Sequence, residues 1–251
     1  MRTPLQNMQQ MIVLLSMCMV AAGAAGCGKA APAQSTGFVD TASMTKDPSL
    51  PFHLVWRKPG WDVRRYTTLS VAPVNTSYMF KNTEWQEGLA KADFERDVQN
   101  LALYTQEAIK KAFREDPNRR FQVVDVPPTS PDTLILEMAL TEVVPSKVVL
   151  NALGYAPFGI GLAIKAVRGM ANDVSTVAFE ARLREASTRE VVGMVADREA
   201  EQKAAVSVRG LTWYSHAHSI IDTWADQFVK TANRKPGETV EDTKAFTLKP
   251  W

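Results

Sequence analysis

Few side chains in this sequence of 251 residues could form a catalytic or metal-binding centre. Both cysteines lie within the first 27 residues, so the rest of the chain has no thiol for catalysis, a disulfide or a zinc site. The three histidines are His53, His216 and His218. Positions i and i+2 of a helix point about 200° apart, so the last two are not expected to share a metal. We interpret them as residues of a polar helix face, and His53 has no recognisable partner in the sequence.

The spacings that accompany common catalytic centres are also missing. The sequence contains no Gly-x-Ser-x-Gly, His-Glu-x-x-His or Asp-x-Asp calcium pattern. Gly154 and Gly159 have the spacing of a phosphate-binding loop but lack the Lys-Ser/Thr that should follow. We therefore predict a protein that is not an enzyme and has no cofactor or bound metal. A hydrolase whose site the sequence does not reveal is an alternative.

The first residues of the chain have the pattern of a secretion signal. Arg2 is the only charged residue before Lys29, and an apolar run occupies residues 11–20. That run is too short to cross a bilayer, which takes about 20 residues. Six small residues follow it and lead to Cys27. We predict that residues 1–26 form a signal peptide that is removed after export.

The residues before Cys27 resemble the bacterial lipobox, in which small residues at positions −2 and −1 precede a lipid-modified cysteine. Ala25 and Gly26 occupy these positions, and their small size gives the signal peptidase access to the bond. The competing Cys18 follows Met17, which is too large. The thiol of Cys27 is therefore the predicted site of lipid attachment. Cleavage at an ordinary Ala-x-Ala site, which would leave a soluble periplasmic protein, is the alternative.

The surroundings of the cysteine also suggest where the protein is located. Gly28 stands where an aspartate favours inner-membrane retention in enterobacterial lipoproteins, so we expect an outer-membrane anchor that faces the periplasm. Residues 27–37 are small and polar and are predicted to be a flexible, lipidated tether. The net charge of +2 is spread along the chain, which argues against nucleic acid as a partner. The expected partners are the membrane, through the lipid, and an envelope protein of unknown identity.

Hydrophobic periodicity predicts a single α+β domain over residues 38–235, followed by a loose polar tail over 236–251. The domain is expected to contain a mostly antiparallel sheet with two main helices packed on one face. An extended, aromatic segment over 38–66 should wrap the domain edge. Strands are predicted at 66–74, 121–126, 133–144, 176–184 and 190–197, and helices at 91–114 and 212–232.

Two of these elements have a pronounced pattern. In the last helix Trp213, Ile220, Trp224 and Phe228 share one stripe, which predicts a main contribution to the core. The opposite face, with Ser215, Asp222 and Asp226, should meet water. In the hairpin at 176–197, arginines alternate with glutamates, which is typical of a solvated, cross-strand-paired sheet face.

The stretch 147–172 does not fit the alternating pattern, because it has no charged residue from 148 to 164 and contains several glycines. A membrane-spanning helix is disfavoured by Pro157 and by the shortness of the uncharged run. A buried connection between two strands is one interpretation. The other is a contact with a membrane surface or a partner, made by Leu162, Ile164, Val167 and Met170.

Short motifs along the folded part resemble a known family. They are Gly-Phe-Val-Asp at 37–40, Leu-Val-Trp-Arg-Lys-Pro-Gly at 54–60, Tyr-Thr-Thr-Leu-Ser-Val-Ala-Pro-Val at 66–74, Phe-Glu-Ala-Arg-Leu at 179–183 and Val-Ala-Asp-Arg at 195–198. The chain is similar over residues 37–235 to the bacterial lipoproteins known as domain of unknown function 3313. The family hairpin turn usually carries a glycine where this sequence has Arg189. The resemblance implies an envelope lipoprotein with no established activity, so no catalytic residues carry over.

The sequence thus predicts a non-enzymatic envelope lipoprotein that acts through contacts with envelope proteins or other envelope components. A module that handles a small ligand or a lipid, with the apolar segment 148–170 lining its pocket, is an alternative.

Overall fold

Six strands form one mixed sheet in the computed structural model, which describes residues 30–79, 91–145, 175–200 and 212–242. The strands are β1 (Leu54–Arg57), β2 (Thr68–Val71), β3 (Gln122–Val124), β4 (Thr133–Val144), β5 (Thr176–Glu185) and β6 (Val191–Ala200). The helices are α1 (Lys91–Arg114) and α2 (Ser215–Asn233), with short 3₁₀ turns at Thr41–Ser43 and Val63–Arg65. The strand order across the sheet is β1-β6-β5-β4-β2-β3.

The sheet is antiparallel from β1 through β6 and β5 to β4, while β2 pairs in parallel with both β4 and β3. A parallel pair needs a long crossover between its strands, and α1 provides one between β2 and β3. The α+β fold that the sequence predicts is confirmed. None of the helices in the described ranges is both long and apolar enough to cross a membrane.

The predicted element boundaries agree closely with the structure where the periodicity is long. The helix 91–114 and the strand 133–144 have the predicted bounds, whereas β2 is shorter than the predicted strand and β6 continues to Ala200. The prediction of an irregular segment over 38–66 missed β1, which pairs with β6 at the sheet edge. A strand of four residues between two proline-containing flanks is too short to give a clear alternation.

In the hairpin turn between β5 and β6, Arg189 stands where the family usually has a glycine. Arg189 has a φ of 64°, in the left-handed region that glycine occupies without steric cost. The side chain of Arg184 donates to the carbonyl oxygen of Arg189 at 2.8 Å, and the N–H of Arg189 donates to the carbonyl oxygen of Glu185 at 2.9 Å. These hydrogen bonds offset the strain of placing an arginine there.

The core lies between the two helices and one face of the sheet. The stripe of α2 is buried as predicted, and Trp224 is only 1% exposed. Its ring meets Phe179 of β5 edge-on, with the ring centres 4.6 Å apart. Asp222 and Asp226 face solvent on the other side of the helix, also as predicted.

Residues beyond α2 are described as far as position 242. Val240, within the segment predicted to be a loose tail, is buried, and its N–H donates to the carbonyl oxygen of Ser49 at 3.0 Å. Arg234 also donates to this carbonyl, at 3.2 Å. The beginning of the tail is therefore docked, because an apolar side chain and a main-chain hydrogen bond hold it on the loop before β1.

Replacing Trp224 with alanine is expected to lower the free energy of unfolding by about 3–5 kcal/mol, the usual cost of removing a large buried aromatic side chain. The substitution also removes an indole N–H that donates to the buried carboxylate of Asp197 at 2.9 Å. Urea unfolding measures the change, and Trp224→Phe separates the hydrogen bond from the packing. Leu103→Ala, at an exposed position of α1, is the matched control and should change stability by less than about 0.5 kcal/mol. A loss below about 1 kcal/mol for Trp224→Ala would contradict a core role.

Candidate functional site

The sheet face opposite the helices carries a row of partly buried ion pairs. Glu137 of β4 accepts hydrogen bonds from Arg182 Nε at 2.5 Å and from Arg184 Nε at 2.9 Å. Glu142 of the same strand accepts from Arg198 Nη2 at 2.7 Å. Burial opposes the ionisation of Glu137, but the two arginines outweigh it, so the pKa of its carboxyl is lowered. The cross-strand pairing predicted for this face is present. The predicted solvation holds only at the turn, where Arg189 and Glu190 are exposed, whereas Glu180 is buried and Arg182 and Arg184 are half-buried.

This face is not solvated because the N-terminal segment, residues 30–45, lies across it. The buried carboxylate of Glu180 accepts the backbone N–H groups of Thr36 at 2.8 Å and Val39 at 3.0 Å. Arg182 donates to the carbonyl oxygen of Phe38 at 3.1 Å, and its guanidinium lies 4.4 Å from the centre of the Phe38 ring. Charge-assisted hydrogen bonds of this kind are stronger than neutral ones.

An apolar cluster completes the attachment of the segment. Phe38, Val39 and Met44 are buried against Ala139 of β4 and Met194 of β6. The sequence predicted a flexible tether over 27–37, but its described part, 30–37, is bound by side chains of the sheet. Small polar residues cannot bury much of their own surface, yet the N–H of Thr36 donates to Glu180 and the carbonyl oxygen of Ala31 accepts from Arg198, which lie far along the sequence.

His53 holds the start of this segment. Its Nδ1 lies 2.7 Å from Asp197 Oδ1, and its Nε2 lies 2.7 Å from the carbonyl oxygen of Ala30. The other oxygen of Asp197 accepts the indole N–H of Trp224. Sequence inspection found no partner for His53, because Asp197 is 144 residues away and only the β1–β6 pairing brings the two together.

The His53–Asp197 pair resembles the base and orienting acid of a hydrolase, but its geometry serves a different purpose. In a catalytic pair, the second ring nitrogen faces a nucleophile. Here that nitrogen faces a carbonyl oxygen, which is an acceptor. The pair therefore clamps main chain in place, and the geometry gives no support to the hydrolase alternative.

The other two histidines differ from the prediction in one respect. His218 is half-buried and lies against the ring of Tyr104, with the ring centres 4.2 Å apart. His216 is buried at 4% exposure rather than on a polar face, because it begins α2 where the helix meets the end of β5. The described residues contain no group of three or more potential metal ligands.

An apolar cavity of about 140 Å³ lies between the C-terminal ends of the helices and the sheet. Its walls include Phe52, Leu69, Phe113, Leu134, Leu183 and Phe228. Leu134 and Leu183 lie at the ends of their strands farthest from Val144 and Thr176. The cavity is thus remote from the strand ends that lead into 146–174, and the residues 148–170 predicted to line a pocket lie outside the described residues.

Cys27 and the four residues predicted to contact a membrane or partner, Leu162, Ile164, Val167 and Met170, lie outside the described residues.

The fold and the site define a class of protein, an α+β domain whose N-terminal segment is bound across the sheet. A family model described as a protein of unknown function (DUF3313) matches residues 34–228. The chain belongs to this family, which confirms the resemblance found in its sequence. No match was found among the curated proteins with which the chain was compared.

Several solved structures are similar to the chain at low identity. A PelC dodecamer from Paraburkholderia phytofirmans is 13% identical, with 69% of this chain and 94% of that chain covered and a TM-score of 0.37. Protein XCC0632 from Xanthomonas campestris is 10% identical, with 70% and 91% covered and a TM-score of 0.38. Lipoprotein GNA1162 from Neisseria meningitidis is 12% identical, with 64% and 99% covered and a TM-score of 0.22. Resemblances this distant carry no conclusion about function.

Burial makes His216 a source of acid sensitivity. Desolvation lowers the pKa of its imidazole from 6.5 to about 4, and neither ring nitrogen makes a well-aligned hydrogen bond with the described residues, although backbone groups of Thr176 and Trp213 are near. In the unfolded chain the imidazole of His216 is therefore protonated as the pH falls below about 6.5, whereas in the folded protein it is protonated only below about pH 4. Stability contributed by the neutral ring is present above pH 6.5 and is lost as the pH falls toward 4.

When the pH is lowered from 7 to 4.5, we expect the free energy of unfolding to fall in both the wild type and His216→Leu. The fall should be larger in the wild type by about 2–3 kcal/mol. Urea unfolding at the two pH values measures the difference. His218→Gln is the control and should retain most of the wild-type dependence, because His218 is only half-buried. Equal losses in wild type and His216→Leu would show that His216 is not the sensitive group.

Proposed function

We propose that this protein is a lipid-anchored cell-envelope protein whose N-terminal segment holds the folded domain close to the membrane, where the domain contacts other envelope components without catalysing a reaction. The observation that carries the proposal is the hydrogen-bonded position of Ala30, three residues after the predicted lipid-bearing Cys27. Three residues of extended chain span at most about 11 Å. A lipid on Cys27 would therefore keep Ala30, and the sheet to which it is bound, near the membrane surface.

Such a short connection would also restrict the orientation of the domain. Arg198 donates to the carbonyl oxygen of Ala31 at 3.2 Å and to Glu142 near the end of β4. The end of the sheet formed by Val144, Thr176 and Ala200 is accordingly the end nearest the anchor. A freely swinging tether would present every face of the domain equally, whereas this one favours a single end.

The anchored end supports the predicted contact made by the apolar stretch within 147–172. This stretch connects Val144 to Thr176, which are partners in the β4–β5 ladder at that end. The orientation that we propose for the anchored domain is therefore compatible with a membrane contact made by Leu162, Ile164, Val167 and Met170. We infer that the lipid and this stretch together form the membrane-facing part of the protein, and we favour the outer membrane because Gly28 follows the cysteine.

Replacing Cys27 with alanine is expected to abolish metabolic labelling with palmitate and to move the protein from the membrane pellet to the soluble periplasmic fraction, because the acceptor thiol is gone. Labelling and fractionation are measured together in the same cells. Cys18→Ala is the matched control, since it removes the only other cysteine and should leave both results unchanged. Palmitate labelling that persists in Cys27→Ala would refute the proposed anchor.

A further inference from the structure

We propose that the apolar cavity is a binding site for a small amphipathic carboxylate, with an apolar group of about six carbon atoms inside the cavity and the carboxylate at its mouth. The proposal has two supports, which are the volume and lining of the cavity and the arginines at its rim.

The size of the cavity determines the size of the apolar group. Its volume of about 140 Å³ is close to the roughly 150 Å³ of an apolar protein cavity that accepts benzene. Apolar side chains form most of its wall, so water inside would have few hydrogen-bond partners. A group of about six carbons, as a ring or a short chain, fills this space, whereas a long acyl chain exceeds it.

The charge at the rim indicates that the polar end of the ligand is an anion. Arg57 and Arg234 line the cavity where its residues become exposed or half-exposed. Asp47 lies between them, and its pKa is lowered by hydrogen bonds from Ser49 and by the two arginines. Two cations and one carboxylate leave a net positive charge at the mouth. Most apolar sites that bind small ligands have this combination of an apolar wall and a few polar groups.

The position of the mouth favours a dissolved ligand over a membrane lipid. Arg57 pairs with Gly193, at the end of β6 opposite Ala200. The preference for a dissolved ligand rests on the proposed anchoring, which places the Ala200 end nearest the membrane. The volume of the cavity does not depend on the anchoring, and by itself it disfavours a phospholipid chain.

Titration of the full chain carrying Cys27→Ala with hexanoate and with 1-hexanol, followed by NMR chemical shifts of the methyl groups of Leu134 and Leu183, tests the site. Hexanoate should bind saturably and shift these signals. Ala181→Leu fills the cavity from β5 and is expected to weaken binding at least about tenfold without lowering the urea midpoint, because it adds apolar volume to empty space. If that variant is misfolded, Ala232→Leu fills the same space from α2.

Arg57→Gln tests how much the carboxylate of the ligand contributes to binding, apart from the apolar group. It should weaken hexanoate at least about threefold while changing 1-hexanol by less than about twofold, since only the anion gains from the charge. Arg96→Gln, at an exposed position of α1, is the matched control and should change neither. Absence of saturable binding, or binding that Ala181→Leu and Ala232→Leu leave unchanged, would overturn the proposal. Both results are independent of whether Cys27 is lipidated.

Discussion

The buried carboxylate of Asp197 is the interaction on which the arrangement of the molecule depends. It lies on β6 and binds the ring of His53 through one oxygen and the indole of Trp224 through the other. A carboxylate with 2% exposure is stable only when its charge is paired and its lone pairs are occupied. The same group therefore fixes the principal helix of the core and, through His53, the carbonyl oxygen of Ala30. Core packing and attachment of the N-terminal segment are thereby coupled.

The two faces of the sheet perform different tasks because their side chains alternate. One face is apolar and packs against both helices, while the other carries Glu137, Glu180 and Arg182 and binds main chain. The polar groove on this second face is occupied by the protein's own N-terminal segment. The small, polar segment is thereby held in an ordered conformation, as the proposed short connection to a lipid anchor would require.

The sequence was most informative where long periodic patterns specify one packing. The bounds of the helix 91–114 and of the strand 133–144, the buried stripe of α2 and the family were all predictable. The attachment of the N-terminal segment was not, because its contacts join residues more than 140 positions apart, as in Glu180 with Val39 and His53 with Asp197. From polarity alone we predicted a flexible tether and a solvated hairpin face. The tertiary structure shows that the N-terminal segment and this sheet face pack against each other. The positive φ of Arg189 could be inferred from the glycine that the family usually has there.

Hydrogen exchange at the amides of Thr36 and Val39 tests most directly whether the N-terminal segment is bound to the sheet. In the wild type these amides should be protected, because both donate to the carboxylate of Glu180. Glu180→Gln keeps the shape but removes the charge, so exchange should accelerate roughly tenfold, the difference between a charged and a neutral acceptor. Glu190→Gln, which removes an exposed carboxylate paired with Lys58, should leave the rates unchanged. Exchange of both amides at the rate of an unstructured chain in the wild type would contradict the bound segment and the short anchor derived from it.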